Sequence, residues 1–124
     1  MAFKLRTSKN AEVIFDRIEA SENMPFYTLV KLAMALSIRA SVLQEEDFNT
    51  NTLGRELNRQ TITGDADALY KCLIELRENR HLSDDEYFPR YVKAHIDRGA
   101  AMIDQEQRYG SDFLIHLSEI EKGI

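Results

Sequence analysis

Immediately after Pro25 the chain reads FYTLVKLAMALSIRA, and a helix through these residues has almost no polar face. Phe26, Leu29, Val30, Leu32, Ala33, Met34, Ala35, Leu36 and Ile38 occupy nearly every side of it, and the polar positions after its start are Thr28, Lys31, Ser37 and Arg39. Proline suits the first position of such a helix, because its missing N–H would be unpaired there in any case. In a chain of 124 residues, a helix apolar nearly all round is either the central element of the core or covered by another subunit, and both are expected here. No apolar run approaches the ~20 residues of a membrane span, and the opening MAFKLRTSKN has no hydrophobic stretch of the secretory kind. A cytosolic protein without a membrane partner is the expectation.

One domain spanning 1–124 is predicted around that helix, since a chain with 44 % hydrophobic residues at this length can bury about two thirds of its unfolded surface. Phe3, Leu5 and Thr7 alternate with Lys4 and Arg6 in the period of a short half-buried strand. Ser8 makes a good N-cap, and Ala11, Ile14, Phe15 and Ile18 follow at helical spacing, so a first helix is predicted to about Ser21 and the second to about Ala40. Residues 44–52 are acidic and polar, and LGRELNRQTITGDAD after them suits neither a clean helix nor a clean strand; the first is predicted as loop and the second mostly as ordered loop. Asp65 can cap a third helix whose apolar stripe is Leu69, Cys72, Leu73 and Leu76, ending near Asn79 to His81. Ser83 and Glu86 fit the capping box of a fourth, in which Pro89 predicts a kink or a short lead-in turn before the main body through Ile103. A last helix is predicted over 111–122, with Phe113, Leu114 and Leu117 facing inward. The predicted class is mainly α: a compact helical domain of about five helices with a short N-terminal strand.

Residues able to carry chemistry are sparse. His81, His95 and His116 are far apart and fall in no zinc-binding arrangement, and Asp112 with His116 reads as a surface pair, so no metal is expected. There is no nucleophile elbow, Walker loop or glycine-rich dinucleotide fingerprint, so no cofactor is expected either. Gly54 and Gly64 flank a polar loop that could cradle phosphate but reads more simply as backbone punctuation. The single cysteine, Cys72, lies in an apolar helical stretch and is predicted to be a packed thiol. Arg59 and Arg98 could hold phosphate or carboxylate with a planar fork; structural ion pairs that fix the central loop, Arg59 with Glu56, or Arg98 and Asp97 with a neighbour, are the expectation. Asn58 and Thr61 are expected to hydrogen-bond loop backbone. Such a chain reads as a binding protein and not as an enzyme.

A net charge of −5 argues against nucleic-acid binding by the whole surface, because phosphate contacts need a local excess of Lys and Arg. The charge is unevenly distributed. Residues 1–39 carry six bases, Lys4, Arg6, Lys9, Arg17, Lys31 and Arg39, against four acids, whereas residues 83–124 carry nine acids against five bases. These six bases are the candidate DNA contacts.

The order strand, helix, break, proline-started helix over residues 3–39 resembles the ribbon-helix-helix module of dimeric DNA-binding repressors, in which strands paired across a dimer insert outward side chains into the major groove. Here those side chains would be Lys4 and Arg6. A second resemblance is carried by Gly54, Glu56, Asn58, Arg59, Thr61 and Gly64, then Asp67, then His95, Arg98 and Gly99. These stretches resemble the DndE family, the small subunit of the bacterial system that replaces a non-bridging phosphate oxygen of DNA with sulfur, and the likeness runs from the Lys4 region to about Met102. It implies a helical accessory protein without sulfur-transfer chemistry of its own, which works with larger desulfurase, adenylating and ATPase subunits and contacts duplex DNA, intact or nicked. Self-association through the second helix would gather several basic N-terminal regions, so a homo-oligomer is expected. The competing readings are a pure protein scaffold and a ribbon-helix-helix-type transcriptional regulator.

Overall fold

The structure, a computed structural model, describes residues 2–109; the helix predicted over 111–122 and the pair Asp112 and His116 lie outside them. In chain order the elements are strand β1 (Lys4–Arg6), helices α1 (Lys9–Glu22) and α2 (Phe26–Ala40), a 3-10 turn at Glu45–Phe48, strand β2 (Glu56–Asn58), the short helix α3 (Arg59–Ile62) and a second 3-10 turn at Gly64–Ala66. Helix α4 (Asp67–Glu78), one turn α5 (Asp84–Glu86), a π-helical segment Tyr87–Val92 and helix α6 (Lys93–Tyr109) complete it. The class is mainly α with a short N-terminal strand, as the sequence predicts. None of the described helices is long and apolar enough to cross a membrane.

The first helix forms where its cap and stripe place it. The Ser8 hydroxyl accepts the Ala11 N–H at 3.1 Å, and Ala11, Ile14, Phe15 and Ile18 are buried. Asn23 closes it in the left-handed conformation, with its N–H on the Glu19 carbonyl. Pro25 then stands just outside α2, at its cap and not at its first position.

Helix α2 is the centre of the core. Leu29, Val30, Ala33 and Met34 are fully buried, and the covering comes from within the chain, from α1 and from α6 running back along α2. The two helices meet most closely at Gly99, where an added Cβ would sit 2.0 Å from the Ala33 carbonyl oxygen. Two arginines close the end of α2 by donating to its last carbonyls: Arg77 Nε to Ile38 at 2.7 Å, and Arg98 Nη2 to Ser37 at 2.6 Å and Ser41 at 2.7 Å. These carbonyls have no partner inside the helix and form the negative end of its dipole, so a guanidinium fork satisfies both needs.

Three expectations are corrected. Residues 54–66 are not mostly loop but β2, α3 and a 3-10 turn: β2 pairs antiparallel with β1, Leu57 opposite Leu5, and the ladder extends through Thr7 N–H to Arg55 carbonyl at 3.0 Å and Arg59 N–H to Phe3 carbonyl at 2.7 Å. A three-residue strand reading Glu-Leu-Asn is too short to show a period. Asp65 lies in a 3-10 turn, and α4 starts at Asp67 behind Ala66 with no side-chain cap. The stripe Leu69, Cys72, Leu73 and Leu76 faces outward; α4 buries Ile74 instead, and Cys72 is an exposed thiol, not a packed one.

Pro89 sits inside the π-helical segment Tyr87–Val92. A wider turn tolerates both the ring and the missing N–H, so the predicted kink takes this form. The capping box of Ser83 and Glu86 starts this run as predicted.

Candidate nucleic-acid interface

The β1–β2 ribbon turns Leu5 and Leu57 into the core and leaves Lys4, Arg6, Glu56 and Asn58 outside, as alternation in a strand requires. Lys4 stands across from Asn58 and Arg6 across from Glu56. The Lys4 ammonium is 3.7 Å from the Glu56 carboxylate, and Arg6 donates to the Gly54 carbonyl at 2.7 Å. Gly54 packs on the β1–α1 junction so closely that a Cβ would lie 2.3 Å from the Ser8 carbonyl oxygen. That packing occupies the space a phosphate cradle at Gly54 would need.

Beneath the ribbon lies Arg59, buried and fully engaged. Its guanidinium donates to Asp67 at 3.1 and 2.7 Å, to Asp84 at 3.1 and 2.9 Å and to the Ala2 carbonyl at 2.8 Å. Burial works against ionisation of Asp67, but hydrogen bonds from Arg59, Thr63 and Tyr87 outweigh it and hold its carboxyl below the ordinary range. The Arg59 hydrogen bonds hold Asp84 low as well. Burial, then the neighbouring Asp67, pushes the Tyr87 hydroxyl well above its usual value. Arg59 is structural, as expected, but its partners are Asp67 and Asp84 and not Glu56. Likewise Asp97 takes Lys93 at 2.6 Å, the Thr50 hydroxyl at 2.7 Å and the Ser8 N–H at 3.0 Å, while Arg98 caps α2 and reaches Asp47 at 3.5 Å. Asn58 accepts the Gln60 N–H at 2.9 Å; Thr61 is exposed, and Thr63 makes the buried hydroxyl contacts.

His95, between α6 and α2, is fully buried. The Ser37 hydroxyl accepts from Arg98 Nε at 2.8 Å and shares a hydrogen bond with His95 Nδ1, also at 2.8 Å. The other ring nitrogen, Nε2, has no partner among the described residues. Burial, with the charges of Arg98 and Arg77, depresses the imidazole to about 3, so it is neutral.

The six candidate bases sit on three elements, β1, α1 and α2. Lys4 and Arg6 share the outer face of the ribbon. On α1, Lys9 is held by Glu12 at 2.6 Å, which keeps its ammonium above the ordinary value, and Arg17 is taken by Asp104 and Gln107 of α6. Lys31 and Arg39 lie two turns apart on the outer side of α2, Lys31 exposed and Arg39 half-buried. A further base joins the ribbon that sequence reasoning misses: Arg55, exposed beside it, with its guanidinium 3.8 Å over the Phe26 ring. Its place opposite Thr7 depends on β2, so no local pattern marks it. Among the described residues no group of three or more His, Cys, Asp or Glu side chains could hold a metal.

Fold and ribbon together define a small helical protein that displays a two-stranded basic edge over a buried ion-pair network. The chain belongs to the DndE family: the profile described as DNA sulphur modification protein DndE matches residues 4–111, most of its length. Comparison with curated proteins gives no match. Membership supports a role in DNA sulphur modification, as an accessory protein of that system.

Proposed function

We propose that the protein is a non-catalytic accessory subunit of the DNA sulphur modification machinery, which holds duplex DNA, intact or nicked, for partner subunits through the outer face of the β1–β2 ribbon. The observation that carries this reading is the outward pair Lys4 and Arg6 on a ribbon anchored by the buried Arg59, with Arg55 beside it. A major groove admits a two-stranded ribbon, and the Lys and Arg heads supply phosphate contacts free of base preference. Lys9 and Arg17, engaged by their acids, contribute less. Lys31 and Arg39 form a second, smaller site.

Self-association belongs to the same proposal, through a different surface from the one the sequence suggests. Most apolar residues of α2 are consumed inside the chain. The β1 ladder bonds Phe3, Leu5 and Thr7 to β2, so the backbone groups of Lys4 and Arg6 point to the opposite edge, where the strand of a second copy would extend the ribbon. Two copies then present four bases together.

The test is the affinity of wild type and Lys4→Ala/Arg6→Ala for unrelated duplexes, intact and nicked, at several salt concentrations. The double variant is expected to lose affinity for every sequence alike, with a salt slope smaller by about one for each phosphate that is no longer neutralised. A loss that varies with sequence would favour a base-reading regulator. Equal binding by both proteins would remove the ribbon from the interface, and no binding by wild type would favour the scaffold reading.

A further inference from the structure

Helix α4 turns leucines to the outside. Leu69, Leu73 and Leu76 are 60, 42 and 72 % exposed, and Cys72 is exposed with them. At about 100° per residue, Leu69 and Leu76 lie on one line along the helix, with Cys72 and Leu73 to either side of its middle. The line is a ridge between two grooves, one of about 470 Å³ toward Ala35 and Ile38 of α2 on the Leu73 side, and one of about 340 Å³ toward His81 on the Cys72 side. Its ends carry opposite charge. Asp65 is exposed just before α4, and Arg80 is exposed just after it, with Glu86 at 2.7 Å on one side of its guanidinium. A scattered exposed leucine is ordinary, whereas a leucine ridge of this kind implies an occupant.

We propose that the α4 ridge pairs with the α4 ridge of a second copy of this chain, antiparallel, about a twofold axis between Cys72 and Leu73. Leu69 and Leu76 lie equally far from that axis, and so do Asp65 and Arg80. Each Leu69 therefore stands beside Leu76 of the second copy, and the acidic end of each helix meets the basic end of the other. A parallel pair would set Asp65 against Asp65 and Arg80 against Arg80, so the ridge complements itself in one direction only. The grooves that flank each ridge give the leucines of the other helix somewhere to sit. A twofold axis across both helices keeps each flank on its own side, so Cys72 faces Cys72 and Leu73 faces Leu73 across it. With helix axes about 9 Å apart, side chains placed in this way bring their Cβ atoms within roughly 4.5 Å, the range of a disulfide. None of these residues belongs to the ribbon, so the inference stands apart from the nucleic-acid reading and from pairing at the β1 edge.

Cys72 supplies the test in the full chain. Oxidised with copper phenanthroline at micromolar concentration, the protein is expected to give a linked dimer on a non-reducing gel and a peptide joining Cys72 to Cys72. Cys72→Ser/Leu73→Cys should link as well, through the other flank. Cys72→Ser/Ala68→Cys should not: position 68 is exposed on the same helix, but its counterpart stands roughly 13 Å further along the pair. No Cys72 dimer, or equal linking at position 68, where random collision alone joins thiols, would overturn the proposal. Leu76→Asp is expected to slow linking at least tenfold with an unchanged circular dichroism spectrum, because Leu76 is 72 % exposed and its loss leaves the core intact. An unchanged rate in that variant would overturn the proposal independently. Asp65→Arg sets like charges at both ends of an antiparallel pair and is expected to slow linking roughly fivefold; no slowing would overturn the antiparallel register. The cross-link reads the α4 contact and not the β1 edge, so its failure would leave the ribbon reading standing.

Discussion

Arg59 faces two carboxylates at once, and no other base can replace it. Removing it leaves Asp67 and Asp84 without their principal donor, and because both acids are partly exposed the cost falls near the low end for a broken buried pair. Arg59→Ala is expected to lower stability by about 3 kcal/mol in urea titrations, and Arg59→Lys to recover only part of it, since a point charge cannot bridge both acids. The carboxyls of Asp67 and Asp84 are held low in the folded state, so their contribution is present above the unfolded value and is lost as pH falls through the folded one. Stability should therefore drop steeply below about pH 4 in wild type, and less steeply in Arg59→Ala. His95 acts in a different window. Held at about 3, it stays neutral while an unfolded imidazole would take up a proton below about 6.5, so stability falls as pH is lowered between those values, by up to about 1.4 kcal/mol per unit. In His95→Gln that slope between pH 6 and about pH 4.5 is expected to disappear; a slope unchanged in the variant would assign it to another group.

Helices α2 and α6 show what packing demands of an element. Gly99→Ala would force a methyl against the Ala33 backbone, which has no flexible end to move aside, and should cost about 2–3 kcal/mol by thermal melting. Leu29→Glu should unfold the protein and not merely dissociate it, because Leu29 is covered within its own chain; circular dichroism separates the two outcomes. Helices α1 and α2 are plain in the sequence, since Ser8 is a local cap and the runs after it are long enough to show a period. Strand β2 is not, because its only core residue is Leu57, and neither are the partners of Arg59, which come from 8 and 25 residues further on. The stripe of α4 is legible as apolar but not as outward, because amphipathic spacing says which side is apolar and not which side the core has room to cover. The ribbon bases Lys4 and Arg6 are visible from strand alternation; Arg55 needs the cross-strand register.

At the scale of the whole molecule, the ribbon reading requires that copies combine. Light scattering at micromolar concentration is expected to give a mass above the 14.3 kDa of one chain, and a stable monomer would remove the assembly part of the proposal. The binding loss in Lys4→Ala/Arg6→Ala is expected to exceed that in Lys9→Ala/Arg17→Ala, whose bases are held by acids more closely than Lys4 is by Glu56; equal losses would spread the interface over α1. The arginine closure of α2 has a different consequence, for how the sequence can drift. Arg77 and Arg98 bind backbone carbonyls of Arg39, Ser41 and Val42, groups that every amino acid possesses. In a saturation library screened for folding, position 42 should accept many replacements while Arg77 and Arg98 accept few, so at Val42 the joint of α2 with α6 is written on only one of its two sides.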